Sequence, residues 1–138
     1  MPKKLAVDQE TKQAMVRMGE LIAECRGKRG LRKIALPSGI QASQLQYIEQ
    51  GVMAPTAAVY PKLLKELNPD DEQRKEMDQL YMVIRKTPPP DVCELITGNP
   101  DLIQLLHALE DTKFTKKEMN ALITSVTKKK IKGDTDNG

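Results

Sequence analysis

The side chains best suited to chemistry form a short polar run in the first half of the chain. Between Gly39 and Gly51, glutamine, serine and tyrosine side chains surround two aliphatic positions, Leu45 and Ile48. Amide and hydroxyl groups on a helix can read base edges in the major groove of DNA, and glutamine can bond adenine through two atoms. The same pattern also fits an ordinary amphipathic surface helix. Two interpretations follow, a DNA-reading helix or a solvated helix face.

A cluster of cations precedes this run. Five basic residues fall within eight consecutive positions: Arg26, Lys28, Arg29, Arg32 and Lys33. The net charge of the chain is only +3, yet its first 50 residues carry nine Lys and Arg against five Asp and Glu. Such a cluster indicates nucleic-acid binding when a recognition element lies beside it, and is otherwise usually a solvated face. We predict that Arg29, Arg32 and Lys33 contact DNA phosphates.

Side chains suited to catalysis or metal binding are scarce. The chain has two cysteines, Cys25 and Cys93, and one histidine, His107. They cannot form a zinc quartet or a disulfide framework, and their spacing favours no Cys–His catalytic pair. We expect no enzymatic activity, no cofactor and no metal. Cys25 is expected to be a buried structural thiol, Cys93 a surface or dimer-interface thiol and His107 a partly exposed interface residue.

Composition limits the remaining classes of function. The 138 residues are 39% hydrophobic and 30% charged, with no Trp, one Phe and three Tyr. Few aromatic residues argue against a sugar-binding or base-stacking surface. No apolar run approaches the roughly 20 residues of a membrane helix, and no signal peptide is visible. These features predict a soluble cytoplasmic protein without membrane association.

Helical periodicity recurs along the sequence, and alternating strand patterns are nearly absent. The fold class is therefore expected to be all-α. Asp8 is a good N-cap for the first helix. Asn68–Pro69–Asp70 predicts a later helix start, with Asn68 as the cap and Pro69 at the first helical position. The predicted helices cover residues 8–29, 32–36, 41–50, 61–67, 68–86, 91–97, 99–109 and 115–127.

The second and third of these helices have the spacing of a helix-turn-helix. Short helices joined by a tight turn containing glycine are what this motif requires. Gly39 would adopt positive φ at the turn. Ile40, Leu45 and Ile48 would anchor the second helix against the first.

This part of the chain resembles the helix-turn-helix domain of phage repressors and Cro proteins, the Xre type. The resemblance covers residues 12–68 and rests on Gly39–Ile40, on Leu45, on Ile48–Glu49–Gln50–Gly51 and on Pro55–Thr56. It implies a lambda-repressor-like helical bundle in which residues 41–50 form the recognition helix. Glu49 would be a structural partner for a helix end or a nearby Arg.

The resemblance also implies site residues. It assigns base reading to Ala42, Ser43 and Tyr47, and contacts to phosphates and flanking positions to Gln41, Gln44 and Gln46. Since Ala42 offers only a methyl group, for example to thymine, the hydrogen bonds must come mainly from neighbouring residues. The predicted base-reading set is Ala42, Ser43, Gln44, Gln46 and Tyr47, and Gln41 joins the predicted phosphate contacts.

The chain departs from the family pattern at two places. Only two residues, Arg32 and Lys33, separate Gly30–Leu31 from Ile34–Ala35, where the family usually has four. Pro37 then ends the first helix of the motif early. A copy of the fold that does not bind DNA therefore stays open as an alternative.

Three consecutive prolines, residues 88–90, predict a stiff linker. We divide the chain into a helix-turn-helix domain (1–86), a linker (87–90), a helical oligomerisation or partner-binding module (91–132) and a disordered tail (133–138). The module faintly resembles the helical hairpin of Sin-type repressors. A hairpin this small cannot bury both apolar faces by itself. Its predicted contact residues are Leu102, Leu106, Leu109, Met119, Leu122 and Ile123.

Together these features predict a homodimeric, sequence-specific transcriptional regulator, a repressor that binds operator DNA. Dimerisation fits because one recognition helix contacts few bases and two-fold dimers read paired half-sites. The alternative is an antitoxin or adaptor of the same fold, which captures a regulatory protein partner through its C-terminal hairpin.

Overall fold

The computed structural model describes residues 8–137, with side chains for residues 8–128. This part of the chain contains helices and no strand, so the all-α prediction is confirmed. The structure divides into two compact units, Met1–Leu95 and Ile96–Gly138. The α-helices are α1 (Gln9–Arg26), α2 (Leu31–Ala35), α3 (Ala42–Glu49), α4 (Tyr60–Leu67), α5 (Asp71–Arg85), α6 (Pro90–Gly98), α7 (Asp101–Thr112) and α8 (Lys116–Asn137).

Helix α1 is the central element of the first unit. It begins as predicted, because the Asp8 carboxylate accepts a hydrogen bond of 2.7 Å from the Thr11 backbone N–H. It ends at Arg26 rather than at residue 29, because Gly27 takes a positive φ of 59°. One face of α1 packs against α5 and another against α3.

The core of the first unit joins all five of its leading helices. Two of the three tyrosines, Tyr60 and Tyr81, are buried in it with stacked rings 4.5 Å apart. The remaining core residues are aliphatic or sulfur-containing: Met18, Leu21, Ile22, Ile34, Ala35, Leu45, Ile48, Leu63, Leu64, Leu67 and Met77. Cys25 is only half-buried and packs against this core from its edge.

The predicted cap of α5 was wrong by two residues. Asn68 takes a left-handed conformation and ends α4, a conformation that asparagine tolerates better than most residues. Asp70 is the N-cap of α5 instead, and its carboxylate accepts 2.8 Å from the Gln73 N–H. Pro69 therefore lies between the two helices and not in the first turn of α5.

The triple proline interrupts the chain as expected, but Pro90 itself is the first residue of α6, a position where proline is favoured. The boundary between the compact units lies within α6, at Leu95 and Ile96, rather than at the prolines.

In the second unit, α8 begins with a capping box. Thr115 N–H donates to Glu118 Oε1 at 3.0 Å, and Glu118 N–H donates to Thr115 Oγ1 at 3.1 Å. The prediction of a helix ending at residue 127 with a disordered tail at 133–138 differs from the structure, in which the backbone stays helical to Asn137. Lysine favours helix, and a single interior glycine such as Gly133 costs only about 1 kcal/mol.

Candidate nucleic-acid interface

The turn between α2 and α3 is tight and depends on glycine. A single 3-10 turn, Leu36–Ser38, follows α2 and accommodates Pro37. Gly39 then takes φ 84° and ψ 19°, which confirms the predicted positive φ. The Ile40 N–H donates to the Ala35 carbonyl oxygen at 3.1 Å and closes the turn. Helices α2 and α3 pack against each other across this connection.

Leu45 and Ile48 hold α3 in the core as predicted, since both are buried, and Ile40 packs against the core from its edge. Gly19 on α1 allows a close approach to α3. A methyl group at Gly19 would overlap the carbonyl oxygens of Ile48 and Glu49. The absence of a side chain at Gly19 therefore sets how near α3 lies to α1.

An ion pair fixes the end of α3. Glu49 accepts two hydrogen bonds from Arg26, at 2.6 Å from Nε and 2.9 Å from Nη2. Both side chains are mostly buried, and the hydrogen bonds with Glu49 raise the pKa of Arg26. This is the structural role that the resemblance implied for Glu49.

The loop after α3 is also fixed. The Tyr47 carbonyl oxygen accepts from the Val52 N–H at 3.0 Å. Arg85 on α5 donates to the carbonyl oxygens of Ala54 and Pro55, at 2.9 and 3.1 Å. The Thr56 carbonyl oxygen then accepts from the N–H groups of Val59 and Tyr60, at 3.1 and 2.9 Å, just before α4. Helix α3 is thus attached to the core at both ends.

The opposite face of α3 is open to solvent. Ser43, Gln44, Gln46 and Tyr47 are exposed, and Ala42 is half-buried. Tyr47 is 50% exposed, whereas Tyr60 and Tyr81 are each 1% exposed, so only this tyrosine can meet a partner. The structure therefore places the predicted base-reading residues together on one outward face.

Gln41 and Gln44 are linked at the start of α3. The Gln41 backbone N–H donates to Gln44 Oε1 at 2.8 Å, which caps the helix. The Gln44 amide oxygen is thereby engaged in the fold, while its Nε2 group stays available as a donor. The exposed Gln41 side chain lies at the N-cap, beside the turn.

The predicted phosphate contacts separate into two groups. Arg32 and Lys33 are exposed on α2, and no carboxylate of the described side chains lies within ion-pair distance of them. The Arg29 side chain instead lies against the fold, so it is no longer a candidate for contact with a DNA phosphate. Its guanidinium donates to four carbonyl oxygens at the ends of α1 and α4, those of Cys25, Arg26, Glu66 and Leu67.

Lys62 is a further candidate for phosphate contact that was not predicted from the sequence. This exposed residue belongs to α4, yet its Nζ would lie 3.7 Å from a methyl group added at Gly39. A cation from a later helix therefore lies beside the turn that leads into α3. Lys62 lies far from the basic cluster in sequence, and only the packing of α4 on the 3-10 turn brings it there.

Cys25 and Cys93 belong to the first unit, and His107 belongs to the second. Burial raises the pKa of the Cys25 thiol. The Cys93 thiol lies 3.5 Å from the Pro88 carbonyl oxygen, and His107 is exposed on α7 in the second unit. Among the described residues, no group of three or more His, Cys, Asp or Glu is placed to hold a metal ion. In the same part of the chain, no helix has the length and apolar character needed to cross a membrane.

The predicted oligomerisation residues are apolar side chains that stay partly or fully exposed on the second unit. Leu102, Leu109 and Met119 are half-buried. Leu106, Leu122 and Ile123 are exposed. Further exposed apolar side chains lie on the same two helices: Ile103, Leu105 and Val126.

Comparison with known proteins adds no relative: no family model, curated protein or solved structure matches the chain.

Proposed function

We propose that this chain is a cytoplasmic, sequence-specific DNA-binding repressor with a lambda-repressor-like helix-turn-helix, and that it acts as a homodimer. The observation that carries the proposal is α3 itself. Its apolar side is buried, its ends are fixed, and its outward side presents hydroxyl and amide groups. A rigid helix with such a face is the element that enters a major groove.

The charges around α3 support DNA contact through its exposed face. Arg32 and Lys33 are exposed on α2, which packs against α3, and Lys62 on α4 is exposed beside the turn that begins α3. Cations beside a recognition helix contact phosphates and fix its register on the duplex. In the proposed complex, these three residues and Gln41 hold the backbone while Ser43, Gln46 and Tyr47 face the bases.

Dimerisation through the second unit completes the proposal. Helices α7 and α8 expose Leu106, Ile123 and further aliphatic side chains. A second copy of the chain would cover them. Two copies can then occupy half-sites about 34 Å apart, which gives the number of base contacts that an operator requires.

The same exposed apolar side chains favour a second candidate, an antitoxin or adaptor that captures a different protein partner. The two candidates differ in solution. A dimer forms with the purified chain alone, whereas an adaptor stays monomeric until its partner is added.

The test is selection of duplexes from a random DNA pool with the full chain, followed by binding of the enriched sequences at about 50 and 200 mM salt. We expect an inverted repeat with half-sites one helical turn apart and binding that weakens steeply with salt. If no sequence is enriched and no salt-sensitive binding is measured, the proposal is overturned. A protein partner of the C-terminal hairpin is then the candidate to test.

A further inference from the structure

The segment that would face the bases contains no cation. From residue 34 to residue 61, between Lys33 and Lys62, the sequence has no Lys or Arg. This interval includes all of α3 and the loop that follows it. The commonest guanine-specific contact is an Arg or Lys that bonds the O6 and N7 atoms of guanine. Neither α3 nor its loop can make that contact.

The same interval also lacks a free carboxylate. Its single acidic residue is Glu49. Asp or Glu reads cytosine by accepting a hydrogen bond from the N4 amino group. Both carboxylate oxygens of Glu49 already accept from Arg26 at 2.6 and 2.9 Å, and the side chain is 12% exposed. The strongest direct contacts to both bases of a G·C pair are therefore missing.

Among the side chains of α3 and its loop, the glutamine amides suit adenine and the apolar groups suit thymine, whereas the exposed Ser43 hydroxyl group can bond any base. Gln46 is exposed, so the oxygen and the nitrogen of its amide can both bond adenine, at N6 and N7. Gln44 is less suited, since its oxygen accepts from the Gln41 N–H. The methyl group of Ala42 and the exposed Val52 after α3 provide apolar contacts for thymine methyl groups.

We propose that α3 selects A·T base pairs, with Gln46 bonding adenine and the aliphatic side chains contacting thymine methyl groups. This inference rests on the proposed function and names the class of operator that the site takes. The base pairs that face α3 in each half-site are A·T, and the guanine and cytosine content lies outside them.

The test uses the full chain and the duplex enriched from a random pool. Thymines in the half-site are replaced one at a time by uracil, which lacks the methyl group, and adenines by 7-deazaadenine, which lacks N7. We expect the affinity for 7-deazaadenine at the position read by Gln46 to fall roughly 5- to 100-fold. Gln46→Ala should bind the normal and the 7-deaza duplex equally, whereas the control Gln79→Ala, an exposed glutamine on α5, should keep the wild-type difference.

The possible outcomes distinguish failure of this inference from failure of the proposed function. An enriched A·T half-site that is sensitive to these replacements supports the inference. An enriched half-site whose central pairs are G·C, or one insensitive to both analogues, overturns it while the DNA-binding function stands. If no sequence is enriched, the proposed function itself fails.

Discussion

Arg26 and Glu49 join the end of α1 to the end of α3 through two hydrogen bonds of 2.6 and 2.9 Å. The third nitrogen of the guanidinium donates to the Arg29 carbonyl oxygen at 2.6 Å. This arrangement orients α3 on the core. It also occupies the carboxylate of Glu49, the single acidic residue from position 34 to position 61, which would otherwise repel the phosphates in the proposed complex.

Removal of either partner should destabilise the fold. Glu49→Ala leaves the mostly buried Arg26 guanidinium without its carboxylate, and we expect a loss of about 1–3 kcal/mol in the free energy of unfolding, measured by urea denaturation. The double variant with Arg26→Ala should lose less than the sum of the two single losses, because the two side chains act as a pair.

The matched control is the Arg17–Glu76 pair, which has similar two-bonded geometry at 2.8 and 3.1 Å but is about 40% exposed on both sides. Glu76→Ala should cost clearly less than Glu49→Ala, because solvent screens exposed pairs. Equal losses would contradict the structural role given to the buried pair.

Gly19→Ala tests the close approach of α1 and α3. The added methyl group would overlap backbone atoms of α3, which cannot move away as a flexible side chain could. We expect about 1–3 kcal/mol of lost stability, even though alanine favours helix over glycine. The shift of α3 should also weaken DNA binding in the residual folded protein.

The control for Gly19 is Gly98→Ala. Gly98 is the last residue of α6, and no atom lies within 4 Å of an added Cβ. The free energy of unfolding should stay the same or rise slightly, because alanine favours helix over glycine. A stable Gly19→Ala variant with unchanged DNA affinity would show that the two helices lie further apart than the structure has them.

Lys33→Ala and Lys62→Ala should weaken binding to all DNA sequences alike. Each removes one proposed phosphate contact, so the slope of the logarithm of the affinity against the logarithm of salt should become shallower by about one unit. Lys75→Ala on α5 is the control and should leave the slope unchanged. A loss confined to particular sequences would assign Lys62 to base reading instead.

Arg29→Ala should behave differently from these lysines. Its guanidinium bonds carbonyl oxygens of α1 and α4, so its loss should lower the thermal midpoint of unfolding. The salt slope of the remaining folded protein should stay as in the wild type. A reduced slope at unchanged stability would return Arg29 to the phosphate contacts.

The sequence predicted those features of the fold that depend on neighbouring residues. The positive φ of Gly39, the Asp8 cap and the burial of Leu45 and Ile48 follow from local turn chemistry and helical periodicity. The inward turn of Arg29 and the position of Lys62 depend on how α4 packs, which local spacing does not encode. The close approach of α1 and α3 at Gly19 could have been predicted, because a glycine inside a helix usually marks a close contact.

Leu106→Glu and Ile123→Glu test the proposed dimer. Both side chains are exposed within the second unit, so the substitutions should leave the helical content unchanged. We expect each charge to convert the dimer to a monomer in sedimentation equilibrium and to reduce operator affinity. The control Gln104→Glu adds the same charge at an exposed polar position of α7. A wild-type chain that is monomeric at all concentrations would exclude the homodimer.

The most direct test of the account compares two selections from the same random duplex pool, one with the wild-type chain and one with the triple variant Ser43→Ala, Gln46→Ala, Tyr47→Ala. These side chains are exposed, so the variant should keep the wild-type melting temperature. We predict that the wild-type chain enriches an inverted repeat and that the folded variant enriches none, while both keep salt-sensitive binding to unselected DNA. Enrichment of the same repeat by both proteins would contradict the claim that α3 reads the bases.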